Sequence, residues 1–390
     1  MPAERFGFEF GEEHMLYRDT VRRFAETVLE PGNPLWEKEG RVPREVWRQA
    51  GELGLLCPSV DAAYGGAGAD FLCDVVLVEE LSRAGLHGPL AGFMVHSNIV
   101  APYLVSFGTE EQKLEWLPQM TSGAVVAALA LTEPAAGSDL RGMTTRARRD
   151  GDHFVLSGQK TFISNGQNAD LIVVAAKLDG TPNDSVSLFL VPANLPGFAR
   201  GKNIDKIGLK SQDTSELFFD DVRIPVTNLI GEEGRGMRYL SAKLATERLL
   251  QSIRSAAAAE AVIDWTVAYT SERKAFGKTI AEFQNTQFKL ADLLSKTRVM
   301  RSFIDLCIVR HLAGKLTSVD AAVAKLRATE LHCEATDECL QLHGGWGYVW
   351  ETPIARAFAD GRIAKIAAGS VEVMKVIIAR AMFETGKPER

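Results

Sequence analysis

Cysteine is scarce in this chain of 390 residues: the five thiols Cys57, Cys73, Cys307, Cys333 and Cys339 form no C-x-x-C pair. No histidine cluster stands beside Cys333 and Cys339 at zinc-ligand spacing. The pattern argues against a metal site or a disulfide framework, and the thiols are expected to be reduced and mostly buried. No stretch approaches the ~20 uninterrupted apolar residues of a membrane helix. The first residues, MPAERFGFEFGEEHM, are acidic and lack an apolar core, unlike a signal peptide, and lack the Arg- and Ser-rich look of a transit peptide. The expected home is the bacterial cytoplasm, or an organelle matrix after processing. A net charge of −6 leaves no basic excess for a nucleic-acid surface. There is no internal repeat and no low-complexity tract; the Ala256–Ala259 run is simply good helix sequence.

What is present is a soluble-looking composition, 46% hydrophobic, on a chain long enough for two or three domains. Residues 1–121 read as helical. Met15, Val21, Phe24 and Val28 fall at helical spacing, and Thr109-Glu110-Glu111-Gln112 is a capping box opening a short helix that Pro118 is expected to close. Residues 122–232 change texture. HFVLSG, KTFISNG, DLIVVAAK, SVSLFLV and ELFFDDVRI are short β-rich runs split by Gly, Pro, Asn and Asp, which predicts a compact β-barrel-like domain. Residues 233–390 are helical again. One helix should run from about Gly236 to Arg273, a second from Phe283 to Leu312, a third from Thr317 to Leu342 ending at Gly344-Gly345, and a fourth from Pro353, interrupted at Gly361 and Gly369. The fold class is α+β: an N-terminal all-α domain, a middle β domain and a C-terminal four-helix bundle.

The most informative local feature is Leu131–Asp139, LTEPAAGSD, which follows the apolar run AVVAALA at Ala124–Ala130. The run reads as a buried strand. The loop after it packs hydroxyls, a carboxylate, a proline and a glycine into a few residues. Pro134 fixes φ, and Gly137 is expected to permit a turn that a side chain would block, so amides and hydroxyls can be aimed at one bound group.

With four further motifs in order, this loop resembles the acyl-CoA dehydrogenase family, most nearly its long-chain branch. The motifs are GQKTFISNG (Gly158–Gly166), RKAFG (Arg273–Gly277) with FQNTQFKLAD (Phe283–Asp292), QLHGGWGY (Gln341–Tyr348) and AAGSVEVMK (Ala367–Lys375). The resemblance spans nearly the whole chain. It implies FAD as cofactor, an acyl-CoA thioester as substrate and trans-2-enoyl-CoA as product, with no metal. It implies that Leu131, Thr132, Gly137 and Ser138 line the flavin ring, Ser138 also lying by the thioester. Phe162 corresponds to an aromatic covering the flavin and Ser164 to a hydroxyl near its reactive nitrogen. Arg273, Phe276 and Gln284, beside Gly277, correspond to residues holding the adenosine diphosphate part of a neighbouring subunit's FAD. An Arg fork suits a pyrophosphate. Gln341, Gly344 and Gly345 correspond to a further contact from that neighbour, and Ser370 to a contact within the first subunit. Sharing of this kind implies a homotetramer, and electron-transfer flavoprotein as electron acceptor.

Many family members carry the catalytic base in a Tyr-Glu-Gly-Thr stretch near the C-terminus. Here that stretch reads Ala367-Ala368-Gly369-Ser370, so Ala368 offers no proton acceptor. The long-chain and isovaleryl branches place the glutamate on the first long helix of the bundle, just before an arginine. Glu247-Arg248 stands there, amid Leu244, Leu249 and Leu250. Apolar surroundings raise a carboxyl pKa, which suits a base that must take a carbon acid's proton. The resemblance implies that Glu247 takes the α-proton while the β-hydrogen leaves as hydride. It also makes the Ala368 backbone amide a donor to the thioester oxygen and Arg248 a neighbour of helix or substrate. Small residues at 367 and 368 suggest room for long or branched acyl chains. Two other readings use the same motifs: a non-catalytic acyl-CoA- or flavin-binding paralogue, and an acyl-CoA oxidase-type flavoenzyme.

Overall fold

The computed structural model describes residues 5–182 and 185–383. Helix α1 (Glu12–Phe24) runs through a π-helical turn at Ala25–Leu29 into α2 (Glu30–Glu39), followed by α3 (Arg44–Glu52), α4 (Phe71–Arg83), α5 (His87–Met94), α6 (Ala101–Phe107) and α7 (Glu110–Thr121). Then come β1 (Ala127–Ala130), β2 (Arg146–Asp150), β3 (His153–Ser164), β4 (Leu171–Leu178), β5 (Val186–Pro192), β6 (Phe198–Asn203), β7 (Thr214–Pro225) and β8 (Leu229–Ile230). The rest is α8 (Gly236–Glu272), a small hairpin of β9 (Lys274–Ala275) and β10 (Lys278–Thr279), α9 (Gln284–Leu312), α10 (Ser318–His343), α11 (Pro353–Gly361) and α12 (Val371–Phe383).

Packing gathers these elements into two units. Among the described residues, one holds the chain up to Arg22, Val75–His87 and the chain from Leu244 on; the other holds Arg23–Asp74 and Gly88–Lys243. The second unit is built on an eight-stranded sheet in the order β6-β7-β3-β2-β4-β5-β8, with β1 added in parallel beside β4. Strand β4 explains its own sequence. Leu171, Val173 and Ala175 enter one buried cluster with Val100, Leu104 and Leu117 from the helices, while Ile172, Val174 and Ala176 enter another with Phe154, Phe189 and Ile224. A strand covered on both faces reads as a continuous apolar run, not an alternating one. The capping box at Thr109 forms as expected, and Gln112 also reaches the Thr227 and Leu229 carbonyls at 2.6 and 2.9 Å, tying α7 to the approach to β8.

In the first unit, Ala259, Val262 and Ile263 of α8, Leu293 of α9, Ala335 and Cys339 of α10 and Ile354 of α11 share one cluster. A buried ionic group joins α4 to the long helices. Arg301 bonds Glu79 at 2.7 Å and Glu260 at 2.8 Å, and Arg5 pairs with Glu79 and, at 2.9 Å, with Asp305. Burial alone would raise the Glu79 carboxyl pKa, but the two guanidiniums hold it below the usual range.

Four expectations need correction. HFVLSG and KTFISNG are one strand, β3, and not two. Pro118 lies inside α7, which continues to Thr121 and stops where Gly123 turns at φ 70. Met15 is exposed, since a step of six residues to Val21 carries it well off the face that Val21 and Phe24 bury. The stretch His87–Phe107 is long and apolar enough to cross a membrane, but 67% of its most apolar window is buried within the protein, as a core helix is. The fourth helix of the C-terminal part is interrupted where expected: α11 ends at Gly361, and a 3₁₀ turn and the Ala367–Ser370 stretch, which holds Gly369, separate it from α12.

Candidate active site

In the second unit, the loop after β1 is held from beneath. Glu133 is 2% exposed and accepts from the Thr144 amide and hydroxyl at 2.6 and 2.7 Å, from the Thr145 amide at 3.0 Å and from Lys160 at 2.8 Å. Burial would raise this carboxyl, but the bonds from Lys160, Thr145 and Thr144 win and bring it to about 2. The Lys160 ammonium also donates to the Leu131 carbonyl at 3.1 Å, and the Thr161 amide to the Thr132 carbonyl at 2.9 Å. These bonds lay Leu131 and Thr132 beside the end of β3. Between Lys160 and Ile163, β3 gains one residue relative to β7, a β-bulge. Bulges re-aim side chains. Here Phe162 adopts φ 57 and stands 65% exposed, on a strand whose flanking residues Thr161 and Ile163 are buried.

The hydroxyls of Thr132, Ser138 and Ser164 have no bonding partner among the described residues. Gly137 differs from expectation. Its φ is not in the left-handed region and an added Cβ would meet nothing within 4 Å, so the turn does not demand glycine; open space stands over it instead.

In the first unit, β9 and β10 are joined by the two-residue turn Phe276-Gly277, with φ 52 and 82. Positive φ at both positions is a type I′ turn, which normally selects Asn, Asp or Gly. Phenylalanine is an unfavourable choice there, and its ring is 96% exposed. Arg273 and Gln284 flank this hairpin, both exposed, and no carboxylate pairs with Arg273 among the described residues. The end of α8 meets the end of α10. Tyr269 stacks on His343 at 4.3 Å and its hydroxyl donates to the His343 carbonyl at 3.2 Å, so Arg273 lies near the Gln341–Gly345 segment. A cleft of about 410 Å³, lined by Trp265, Tyr269, His343 and Trp346, opens beside them. Gly344 and Gly345 have open space where a Cβ would stand.

The same unit brings Arg248 to the Ala368-Gly369 turn: a Cβ built on Gly369 would lie 3.8 Å from the guanidinium. Glu247 is half-buried while Leu249 and Leu250 are fully buried. Arg248 is buried, its Nε has no hydrogen-bond partner among the described residues, and burial lowers its pKa against the opposing charge of Glu247. Ala368 has φ 54 and Gly369 φ 87. Ser370 N-caps α12, accepting from the Val373 amide at 3.4 Å.

Models of the acyl-CoA dehydrogenase N-terminal, middle and C-terminal domains match residues 11–124, 128–222 and 234–383. The chain belongs to the acyl-CoA dehydrogenase family. It is 44% identical over 374 residues to the mitochondrial long-chain specific acyl-CoA dehydrogenase of Sus scrofa, covering 95% of this chain and 86% of that protein. A crystal structure of an acyl-CoA dehydrogenase from Geobacillus kaustophilus superposes with a TM-score of 0.94 at 45% identity, covering 97% of this chain and 100% of the other. A glutaryl-CoA dehydrogenase from Mycobacterium smegmatis in complex with FADH2 does so at 0.90 and 29%, covering 97% of each.

This acyl-CoA dehydrogenase has the family's N-terminal helical, middle sheet and C-terminal helical domains, and carries out FAD-dependent dehydrogenation of acyl-CoA. Its residues fit the cofactor: spare hydroxyls by the β1 loop, exposed aromatics in strained backbone, an unpaired arginine and glycines over open space. Three residues escaped sequence reasoning. Glu133 and Lys160 stand within the motifs already singled out, but their burial, which sets their role, has no local signature. Lys325 lies mid-helix on α10 with nothing in its neighbours to mark it.

Proposed function

We propose that Glu247 is the base, that the Ala368 amide receives the thioester oxygen, and that the substrate is a long-chain or branched acyl-CoA. The observation that carries this reading is the packing of Arg248, and with it the Glu247 segment of α8, against the Ala368-Gly369 turn. The position that lacks a carboxylate and the helix that supplies one meet there. FAD, when bound, supplies the hydride acceptor. Leu131, Thr132, Gly137, Ser138, Phe162 and Ser164 would hold its ring; Arg273, Phe276, Gln284, Gln341, Gly344, Gly345 and Ser370 its remaining parts.

The chain's own work follows from chemistry. An α-proton of a thioester is too weakly acidic for a carboxylate in water, so charge growing on the thioester oxygen must meet fixed donors. A backbone amide serves as well from alanine as from glutamate. Glu247 Oε then takes the proton from Cα, and Arg248 keeps the segment seated on the turn. Ser138 and Arg248 are the further substrate neighbours in this reading.

Large apolar side chains left exposed on α9 (Phe288, Val299) and at Phe276 support a homotetramer, in which a neighbour's hairpin completes the cofactor contacts. Electron-transfer flavoprotein is the acceptor in this reading. Five cysteines, none in a disulfide among the described residues, fit a reducing compartment, the cytoplasm or an organelle matrix.

The test is an anaerobic titration of the yellow holoenzyme with butyryl-, isovaleryl-, decanoyl- and palmitoyl-CoA, following flavin absorbance. Bleaching by the longer or branched members, and its slowing by about 10²–10⁴-fold in Glu247→Gln, is expected. Normal bleaching in that variant would displace Glu247 as base. Fast reoxidation of the substrate-reduced enzyme by oxygen would favour an oxidase.

A further inference from the structure

Helix α10 buries a lysine in the middle of the bundle. Lys325 is 0% exposed, and its ammonium donates to the Gly369 carbonyl at 2.6 Å. Its surroundings do not favour the charge. Burial lowers its pKa to about 8, and the charge of Arg248 pushes the same way, against Glu372 and Cys333. A buried cation beside the charge of a second one is costly, and the hydrogen bond to the Gly369 carbonyl offsets part of that cost.

What it holds is the Ala368-Gly369 turn. Ala368 sits at φ 54, a conformation side chains with a Cβ rarely adopt, and such strain persists only where the surroundings over-determine it. The turn is gripped on each side. The Ala367 amide donates to the Ile363 carbonyl at 3.0 Å before it, and Ser370 caps α12 after it. Met374 Cε lies 2.8 Å from a Cβ built on Gly369. In between, Lys325 bonds the carbonyl, and the amide of the half-buried Ala368 donates to no group among the described residues.

We infer that Lys325 is a positioning residue: by holding the Gly369 carbonyl it keeps Ala368 in the left-handed conformation that leaves the Ala368 amide free for the acyl thioester oxygen. The inference rests on the reading of Ala368 as donor to that oxygen.

The experiment uses holoenzyme and trans-2-butenoyl-, decenoyl- and hexadecenoyl-CoA, isotopically labelled at the carbonyl carbon. The infrared carbonyl band of the bound thioester reports the hydrogen bond directly. In the wild type it should lie below its position in water. In Lys325→Met it should move back toward that position, with flavin content retained, kcat down about ten- to a hundred-fold and KM nearly unchanged, as a misplaced catalytic group requires. Ala368→Gly in the Lys325→Met background should restore part of the shift and of kcat, because glycine adopts the turn without strain. Lys325→Gln, which keeps a donor without the charge, should fall between the two. An unshifted band in the wild type with every thioester would sink the reading of Ala368 itself. A shifted wild-type band that stays shifted in Lys325→Met would sink the Lys325 inference alone. If neither Lys325 variant folds with flavin, the residue serves the fold and the inference is overturned.

Discussion

Lys160 and Glu133 form an ion pair at 2.8 Å with both side chains essentially inaccessible, and through it the strand that presents Phe162 is locked to the loop that carries Leu131 and Thr132. A buried pair gains little over an apolar replacement, but removing one member leaves a bare buried charge. Lys160→Met should therefore destabilise the holoenzyme by about 3–5 kcal/mol and speed flavin loss, while a Lys160→Met/Glu133→Leu double variant recovers only part of the stability, because the Thr144 and Thr145 amides then lose their acceptor. Denaturant unfolding with flavin fluorescence measures both. A single variant within about 0.5 kcal/mol of wild type would mean the pair does not hold the loop.

The hairpin turn at Phe276 should show a trade of stability against cofactor. Asparagine suits the first position of a type I′ turn, so Phe276→Asn should raise the stability of the apoprotein by about 1–3 kcal/mol, the strain that phenylalanine now carries. If the ring contacts FAD, the same change weakens flavin retention. Apoprotein melting and flavin titration decide it; a variant both less stable and equally tight for FAD contradicts the idea.

Acid should act on buried histidines before it acts on Glu133. His87 and His332 lie 6.0 Å apart between ring centroids, beside Arg254, with no hydrogen-bond partner for any of their ring nitrogens among the described residues. Burial and the Arg254 charge lower His332 from 6.5 to about 3 and His87 well below 6.5, and burial brings His96 to about 4. In each case the unfolded chain takes up a proton that the folded chain refuses. Stability is thus full above 6.5 and falls as pH drops from 6.5 toward the folded values, by up to about 1.4 kcal/mol per pH unit for each group. Glu133, depressed from 4.5 to about 2, adds its loss only as pH falls from 4.5 through 2. Urea midpoints across this range should slope downward toward acid, and His332→Leu should flatten the slope above about pH 4. An unchanged slope would remove His332 from the account.

Much of the candidate site was legible before the structure. The loop at Leu131–Asp139, the RKAFG stretch at Arg273–Gly277 and the Glu247-Arg248 pair all announce themselves by residue type and order, because each is a continuous stretch whose chemistry is local. Their environments were not legible. Gly137 reads as a residue the turn requires, yet its backbone is ordinary and the space above it is what stands out. The strain at Phe162 arises from a bulge whose extra residue is counted only against β7, more than fifty residues away. The π-turn at Ala25–Leu29 and the persistence of α7 through Pro118 depend on packing that local propensity does not include.

By itself the sequence determined the order of helical, β and helical segments, the family, the loss of a carboxylate at Ala368 and its presence at Glu247. Periodicity, capping residues and contiguous motifs act over a few residues, so they survive without coordinates. The tertiary structure decided that Lys160 and Lys325 are buried, that they hold Leu131 and Gly369, and that Arg248 meets the Ala368-Gly369 turn. Those relations join residues tens to more than a hundred positions apart. Whether a lysine is a solvated charge or a buried strut depends on what the rest of the chain places around it, and no window of sequence contains that information.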